Sequence, residues 1–218
     1  MAAALADTAT SSTRSDIMLD VRNLYCERDE RILFQDLNFQ LRAGAVLQVQ
    51  GSNGSGKTTL LRILCGLNDN YRGAIYWKGE ELADSEHDFL SSLLYIGHRA
   101  GVSKVLSPME NLRWTCRLQQ QLSDAELVRA LAEVGLRGYE DSPCYTLSAG
   151  QQQRVALARL LVTSAKLWVL DEPFTTLDSS GIKQLETLLR LHAESNGAVL
   201  VTTHHQLNLP NLEQLSLG

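Results

Sequence analysis

The run Gly51-Ser52-Asn53-Gly54-Ser55-Gly56-Lys57-Thr58-Thr59 fits G-x-x-x-x-G-K-[ST], a loop whose chemistry is the holding of nucleotide phosphates. Three glycines let the backbone turn its N–H groups inward and approach phosphate oxygens with no Cβ in the way. A helix starting near Lys57 adds the positive end of its dipole, equivalent to about half a charge. Lys57 is expected to reach the β- and γ-phosphates. The Thr58 hydroxyl is expected to take one position around Mg²⁺, and Thr59 to assist an α-phosphate oxygen. The flanks fit as well: Val46 to Gln50 reads as a strand and Leu60 to Cys65 as a helix.

A second constellation is Leu167-Trp168-Val169-Leu170-Asp171-Glu172, an apolar strand ending in two carboxylates. Beside the phosphate loop, Asp171 would hold Mg²⁺ through its water shell opposite Thr58. Glu172 would orient and polarise the attacking water. Without that loop, the pair would read equally well as a solvated strand end. Leu147-Ser148-Ala149-Gly150-Gln151-Gln152-Gln153-Arg154 precedes a helix read over Val155 to Leu161. The Ser148 hydroxyl and the backbone at Gly150, at a helix start, form a second anion site, although Ser-x-Gly is also an ordinary N-cap pattern. One nucleotide rarely needs two phosphate sites in one chain, so the pattern points to sharing between two subunits.

These residues need a scaffold. Met18 to Arg22 and Phe34 to Leu41 alternate as strands of an antiparallel layer, and Ala74 to Trp77 and Leu93 to Ile96 read as further strands. Ser107-Pro108-Met109-Glu110 and Ser123-Asp124-Ala125-Glu126 are capping boxes. The second opens a helical stripe, Leu127, Ala130, Leu131 and Val134, that stops at Gly135. Leu167 to Leu170 and Ala198 to Val201 read as buried strands, with an amphipathic helix over Ile182 to His192 between them. The alternation predicts an α/β fold: a mostly parallel sheet with flanking helices, an antiparallel β layer and a helical insertion.

Composition narrows the partners. The chain has 218 residues, a formal charge of −5 and 44% apolar content. No basic tract is present to neutralise a nucleic acid, so nucleic-acid binding is not expected. Cys26, Cys65, Cys116 and Cys144 form no C-x-x-C or C-x-x-C-H, so they read as buried or partly buried free thiols of a reducing compartment. No apolar run approaches the roughly 20 residues a membrane span needs. Residues 1–16 lack the features of a secretory signal and are expected to be a disordered tail. Membrane attachment would therefore come through a partner.

With these residues assembled, the chain resembles the ATP-binding cassette (ABC) family. Leu147-Ser148-Ala149-Gly150-Gln151 is similar to that family's L-S-G-G-Q signature, with one Gly→Ala change. Thr175-Thr176-Leu177-Asp178 resembles its D-loop, and His204 in Val201-Thr202-Thr203-His204 stands at its switch histidine. The resemblance implies an ATPase using ATP and Mg²⁺. It also implies a single nucleotide-binding domain over residues 17–218, with an α/β core at 17–96 and 165–218 and a helical subdomain at about 97–164. A head-to-tail homodimer would hold two ATP molecules, each between one subunit's phosphate loop and Ser148, Gly150 and Gln151 of the other. His204 would contact the γ-phosphate and help Glu172 place the water, whereas His205 reads as solvated.

Two positions depart from the family pattern. The Q-loop glutamine, which links Mg²⁺ to the membrane subunit, falls at His98 in Leu94-Tyr95-Ile96-Gly97-His98. The adenine-stacking aromatic falls at Arg28, whose guanidinium plane can stack on a base; Tyr25 is the alternative. Leu24 to Arg31, Tyr95 to His98 and the short segment after Thr203-His204 are similar to the ATPase subunits of cytochrome c maturation complexes. That subgroup implies a peripheral protein on the cytoplasmic face of a bacterial inner membrane. It would be held by integral membrane subunits and drive a haem-handling or export step without binding haem itself. The alternatives are an ABC subunit of another exporter, or a soluble ABC ATPase acting on nucleic acid or ribosomes. The second usually carries a tandem cassette, a coiled coil or basic insertions, none of which this sequence has.

Overall fold

Two kinds of strand sequence build two sheets. The computed structural model describes residues 16–116 and 122–218, apart from the Cys116 side chain. The tail expected over residues 1–16 therefore lies outside the described residues except for Asp16. Strands β1 (Ile17–Arg28) and β2 (Arg31–Arg42) pair antiparallel. Their connecting residues Asp29 and Glu30 have φ of 52° and 60°, the left-handed pair that matches the twist of a two-residue hairpin. Strand β3 (Val46–Gln50) enters a second sheet and runs through the phosphate loop into α1 (Lys57–Leu64). Strands β4 (Arg72–Trp77) and β5 (Glu80–Glu81) return to the first sheet, whose order is β2-β1-β4-β5.

The chain continues through α2 (Glu86–Ser92), β6 (Leu93–Ile96), α3 (Pro108–Cys116), α4 (Asp124–Glu133) and α5 (Ala149–Val162). It ends with β7 (Leu167–Asp171), α6 (Ser179–Glu194), β8 (Ala198–Thr202) and β9 (Leu212–Ser216). The second sheet has the order β6-β7-β8-β3-β9, and every pairing in it is parallel. Every residue of β7 and β8 is buried, which is why both read as unbroken apolar runs rather than alternating ones. Because all strands point one way, the loops after β3, β6, β7 and β8 leave from one edge. Those loops carry Gly51–Thr59, His98, Glu172 and His204.

Three apolar clusters hold this frame. Leu60, Ile63 and Leu64 of α1 pack with Leu19, Leu24 and Trp77 of the antiparallel sheet and Leu47 and Val49 of β3. Trp168, Val199 and Val201 pack with Leu185 and Leu189 of α6 on the other face of the parallel sheet. Leu112, Leu127, Leu131 and Val155 join α3, α4 and α5. Each fully buried leucine contributes about 1.5–3 kcal/mol against remaining in water, so α1, and with it the phosphate loop, is anchored on both sides. The Cys26, Cys65 and Cys144 thiols are free and buried, and burial pushes Cys65 up to about 12, which keeps it protonated and unreactive.

The structure differs from the sequence reading at four places. Helix α5 begins at Ala149, not Val155. Ser148 Oγ accepts from the Gln151 N–H at 3.2 Å and Gln151 Oε1 accepts from the Ser148 N–H at 2.9 Å, a reciprocal cap that starts the helix inside the Gln-rich run. Helix α2 and strand β9 were not expected. The exposed-rich pattern of β9 has no period of its own and is ordered by pairing along β3 from Val46↔Leu212 to Gln50↔Ser216. His205, expected to be solvated, is half-buried: its Nε2 lies 3.3 Å from Glu186 Oε1 and its ring 5.1 Å from that of Phe174.

Candidate functional site

The phosphate loop is held open by steric necessity. Gly51, Gly54 and Gly56 have φ of 153°, 81° and 99°, conformations that favour glycine. A Cβ at Gly51 would lie 2.6 Å from the Leu217 carbonyl oxygen, and one at Gly56 would lie 3.1 Å from Leu33 Cβ. The segment after β9 thus backs the loop from one side and β2 from the other, with the Leu217 N–H donating to the Gln50 carbonyl at 2.8 Å. The Lys57 ammonium donates to the carbonyls of Gly51 at 2.7 Å and Ser52 at 3.1 Å, which fixes it across the loop.

A cavity of about 750 Å³ opens over this loop. It is lined by Asn53, Gly54, Gly56, Lys57, Thr58 and Thr59 from the loop and first helical turn, together with His98, Asp171, Glu172 and His204. Gly51, Ser52 and Ser55 belong to the same loop but lie outside that lining. Arg28 stands on the cavity wall with an exposed side chain and an ion pair to Asp29 at 3.4 Å. Tyr25 is elsewhere: its hydroxyl donates to Glu27 at 2.7 Å and its ring faces the Arg72 guanidinium at 5.7 Å. No Phe, Tyr or Trp is among the described lining residues.

Thr202 organises the two carboxylates. It is fully buried at the end of β8, in register with Asp171. Its hydroxyl donates to Asp171 Oδ1 at 2.7 Å and accepts from the Glu172 N–H at 3.0 Å, while the Thr202 carbonyl accepts from the same N–H at 3.1 Å. That double anchor holds Glu172 at φ of 52°, an uncommon conformation for a residue with a side chain. The turn it makes puts the Glu172 carboxylate on the cavity wall, 3.5 Å from His204 Nε2. Burial, and then the Asp171 charge, push the Tyr95 phenol up to about 12, so it stays neutral beside that carboxylate.

The oxygen donors at the cavity suit Mg²⁺. Asp171 Oδ2 is buried and has no hydrogen-bond partner, an arrangement that costs about 1–3 kcal/mol if unmet. It shares the cavity with the Thr58 hydroxyl, and hard oxygen donors suit this ion. Among the described residues, no three His, Cys, Asp or Glu side chains converge to bind a metal by themselves. These residues therefore fit an ion that arrives with phosphate oxygens already attached.

Ser148, Gly150 and Gln151 do not line this cavity. They form the N-terminal turn of α5, whose leading N–H groups have no partner within the helix. That turn is tied to the segment after β7: a Cβ at Gly150 would lie 2.9 Å from the Thr176 carbonyl oxygen. Arg154 forms an ion pair with Asp178 and donates to the Val134 carbonyl at 2.8 Å. Thr202, Arg31 and Leu33 carried no expected role in the sequence, whereas Thr175, first residue of the D-loop-like segment, also lines the cavity. For Thr202 the available signal was a hydroxyl at the end of an otherwise apolar strand.

Residues 34–175 match the family described as ABC transporter. The cytochrome c biogenesis ATP-binding export protein CcmA of Hahella chejuensis is 52% identical over 202 residues, covering 92% of this chain and 96% of that relative. The protein of the same name from Pseudomonas putida is 53% identical over the same shares. Among solved structures, an ATP-binding subunit of an ABC transporter aligns with a TM-score of 0.77 at 26% identity, covering 86% of this chain and 79% of its own. An ATP-binding cassette dimer bound to ADP and phosphate has the same fold, with a TM-score of 0.75 at 24% identity over 86% of this chain and 88% of its own. A phosphate loop and paired carboxylates on one sheet edge, a signature sequence at the start of α5 and a family match over more than half of its length make this chain an ATPase of the ATP-binding cassette family.

Proposed function

We propose that this ATPase drives a haem-handling or export step in c-type cytochrome biogenesis, as the energy-supplying subunit of a membrane complex. The observation that carries the reading is identity near 50% over 92% of the chain to relatives named for that pathway. The chain would sit on the cytoplasmic face of a bacterial inner membrane, held there by integral membrane subunits. No helix among the described residues is long and apolar enough to cross a membrane.

In this reading the triphosphate of ATP lies along Gly51–Thr59, where backbone N–H groups and Lys57 offset its charge. Mg²⁺, when bound, would supply charge neutralisation at the phosphates, and Thr58 and Asp171 would hold it. Glu172 accepts a hydrogen bond from the attacking water and polarises it. His204, beside that carboxylate, contacts the γ-phosphate. Arg28 covers the base. Ser148, Gly150 and Gln151 lie outside the cavity, so they complete the site of a second copy in a head-to-tail dimer.

His98 stands where the family has its Q-loop glutamine, two residues past the pairing of Ile96 with Leu170. An imidazole nitrogen is a softer donor than an amide oxygen. His98→Gln is therefore expected to lower Mn²⁺-supported turnover severalfold relative to Mg²⁺-supported turnover. An unchanged ratio would return His98 to a loop residue with no part in the site.

The pathway is tested by deleting the gene in its host and staining for covalent haem in c-type cytochromes. Loss of the stain, restored by the wild-type chain and not by Lys57→Ala, is the expected result. Normal cytochrome c levels in the deletion strain would reject the assignment.

A further inference from the structure

Strand β3 is an interior strand of the parallel sheet, where a continuous apolar run is the rule, yet it carries Gln48, only 4% exposed. Side chains alternate along a strand, so Val46, Gln48 and Gln50 share a face. Val46 packs with Val199 and Val201, and Gln48 follows at the edge where the site lies. An amide buried there without partners would be costly, and this one is fully engaged. Its nitrogen donates to the Thr203 carbonyl at 3.3 Å and to the His205 carbonyl at 3.4 Å. Its oxygen accepts from Gln50 Nε2 at 3.2 Å. Two carbonyl acceptors on one side settle which end of the amide is nitrogen.

The two carbonyls belong to the residues immediately before and after His204. We propose that Gln48 is a positioning residue for the reaction: it clamps the backbone on both sides of His204 and so aims that imidazole at Glu172 and the γ-phosphate. His204 needs such a clamp because its side chain is 66% exposed and touches Glu172 only at 3.5 Å. The same loop is also held by the Thr203 hydroxyl, which accepts from the His205 N–H at 2.9 Å, and by the His205 ring against Glu186 and Phe174, but the Gln48 amide is what reaches the carbonyls on both sides of His204. Gln50 acts one step further out by orienting the Gln48 amide. A polar cleft of about 430 Å³, lined in part by Gln48, Gln50 and Gln214, lies beside this clamp.

The inference rests on the assignment of His204 to the γ-phosphate. It is tested by a double-mutant cycle in the purified membrane complex, using single-turnover rates and ATP affinity. Gln48→Met keeps the side-chain length and removes both donors. It is expected to lower the rate about tenfold, with ATP affinity within twofold, and to have no further effect in a His204→Ala background. In the purified chain, the imidazole ¹³C–¹H signal that disappears in His204→Ala should shift in Gln48→Met. An equal rate loss with and without His204, or an unshifted imidazole signal, would overturn the clamp. A His204→Ala complex with wild-type turnover would remove the γ-phosphate assignment and the clamp with it, whereas an impaired His204→Ala with an unimpaired Gln48→Met would remove the clamp alone. If Gln48→Met does not fold, Gln50→Leu is run through the same cycle, where a smaller loss that vanishes with His204 supports the clamp and a loss that persists overturns it.

Discussion

Glu172→Gln is expected to stop turnover while leaving ATP bound. Glutamine keeps the shape of the side chain and loses the base, and general-base help of this kind is worth roughly 10²–10⁴ in rate. The backbone turn that presents residue 172 is held by N–H bonds to Thr202, which the substitution does not touch, so the fold should persist. Affinity for ATP should remain within about twofold, because the carboxylate acts on the water rather than on the phosphates. The readouts are single-turnover hydrolysis in the membrane complex and gel filtration of the purified chain with ATP. The expected pattern is a rate loss of two orders of magnitude or more, together with accumulation of an ATP-bound dimer. Unaltered turnover would take the catalytic role away from Glu172, and a monomeric elution with ATP still bound would count against the shared site.

Lys57→Ala has the second large effect, and it falls on binding. The ammonium is already held at the loop by the Gly51 and Ser52 carbonyls, so little ordering remains to be done when phosphate arrives. A hydrogen bond to a charged group contributes about 1.5–3 kcal/mol, and more than one phosphate oxygen is within its expected reach. ATP affinity should therefore fall by roughly 10²-fold or more. Titration calorimetry measures it directly, with a thermal melt as control. The side chain is only half-buried, so the melting temperature should move little. Lys57→Arg should not restore affinity, since a planar fork does not replace a compact ammonium in a tight loop. Wild-type affinity in Lys57→Ala would contradict the phosphate cradle.

Much of the site was legible because its chemistry is local. Gly51 to Thr59 is one loop whose glycine spacing dictates the backbone path, and the Ser148–Gln151 cap spans four residues. Ser107 and Ser123 were readable as helix starts for the same reason, and α3 and α4 begin there. The reading failed where order comes from a distant partner. Strand β9 has no alternation of its own and exists because β3 offers it an edge. His205 looked solvated because nothing near it in sequence covers it, while Glu186 and Phe174 do so in space. Thr202 was passed over as the end of an apolar run, and its role depends on its register with Asp171.

By itself the sequence determined the reaction class, through residue types at fixed spacing: a phosphate loop, two adjacent carboxylates, a signature at a helix start and a histidine after a buried strand. The convergence of these pieces was decided by the tertiary structure. Parallel pairing in the order β6-β7-β8-β3-β9 brings four loops to one edge, and register sets Thr202 against Asp171 and Gln48 beneath His204. Contacts within a loop follow from neighbouring residues. Contacts between loops more than 100 residues apart follow from how the strands that carry them are aligned, and only the packed sheet contains that alignment.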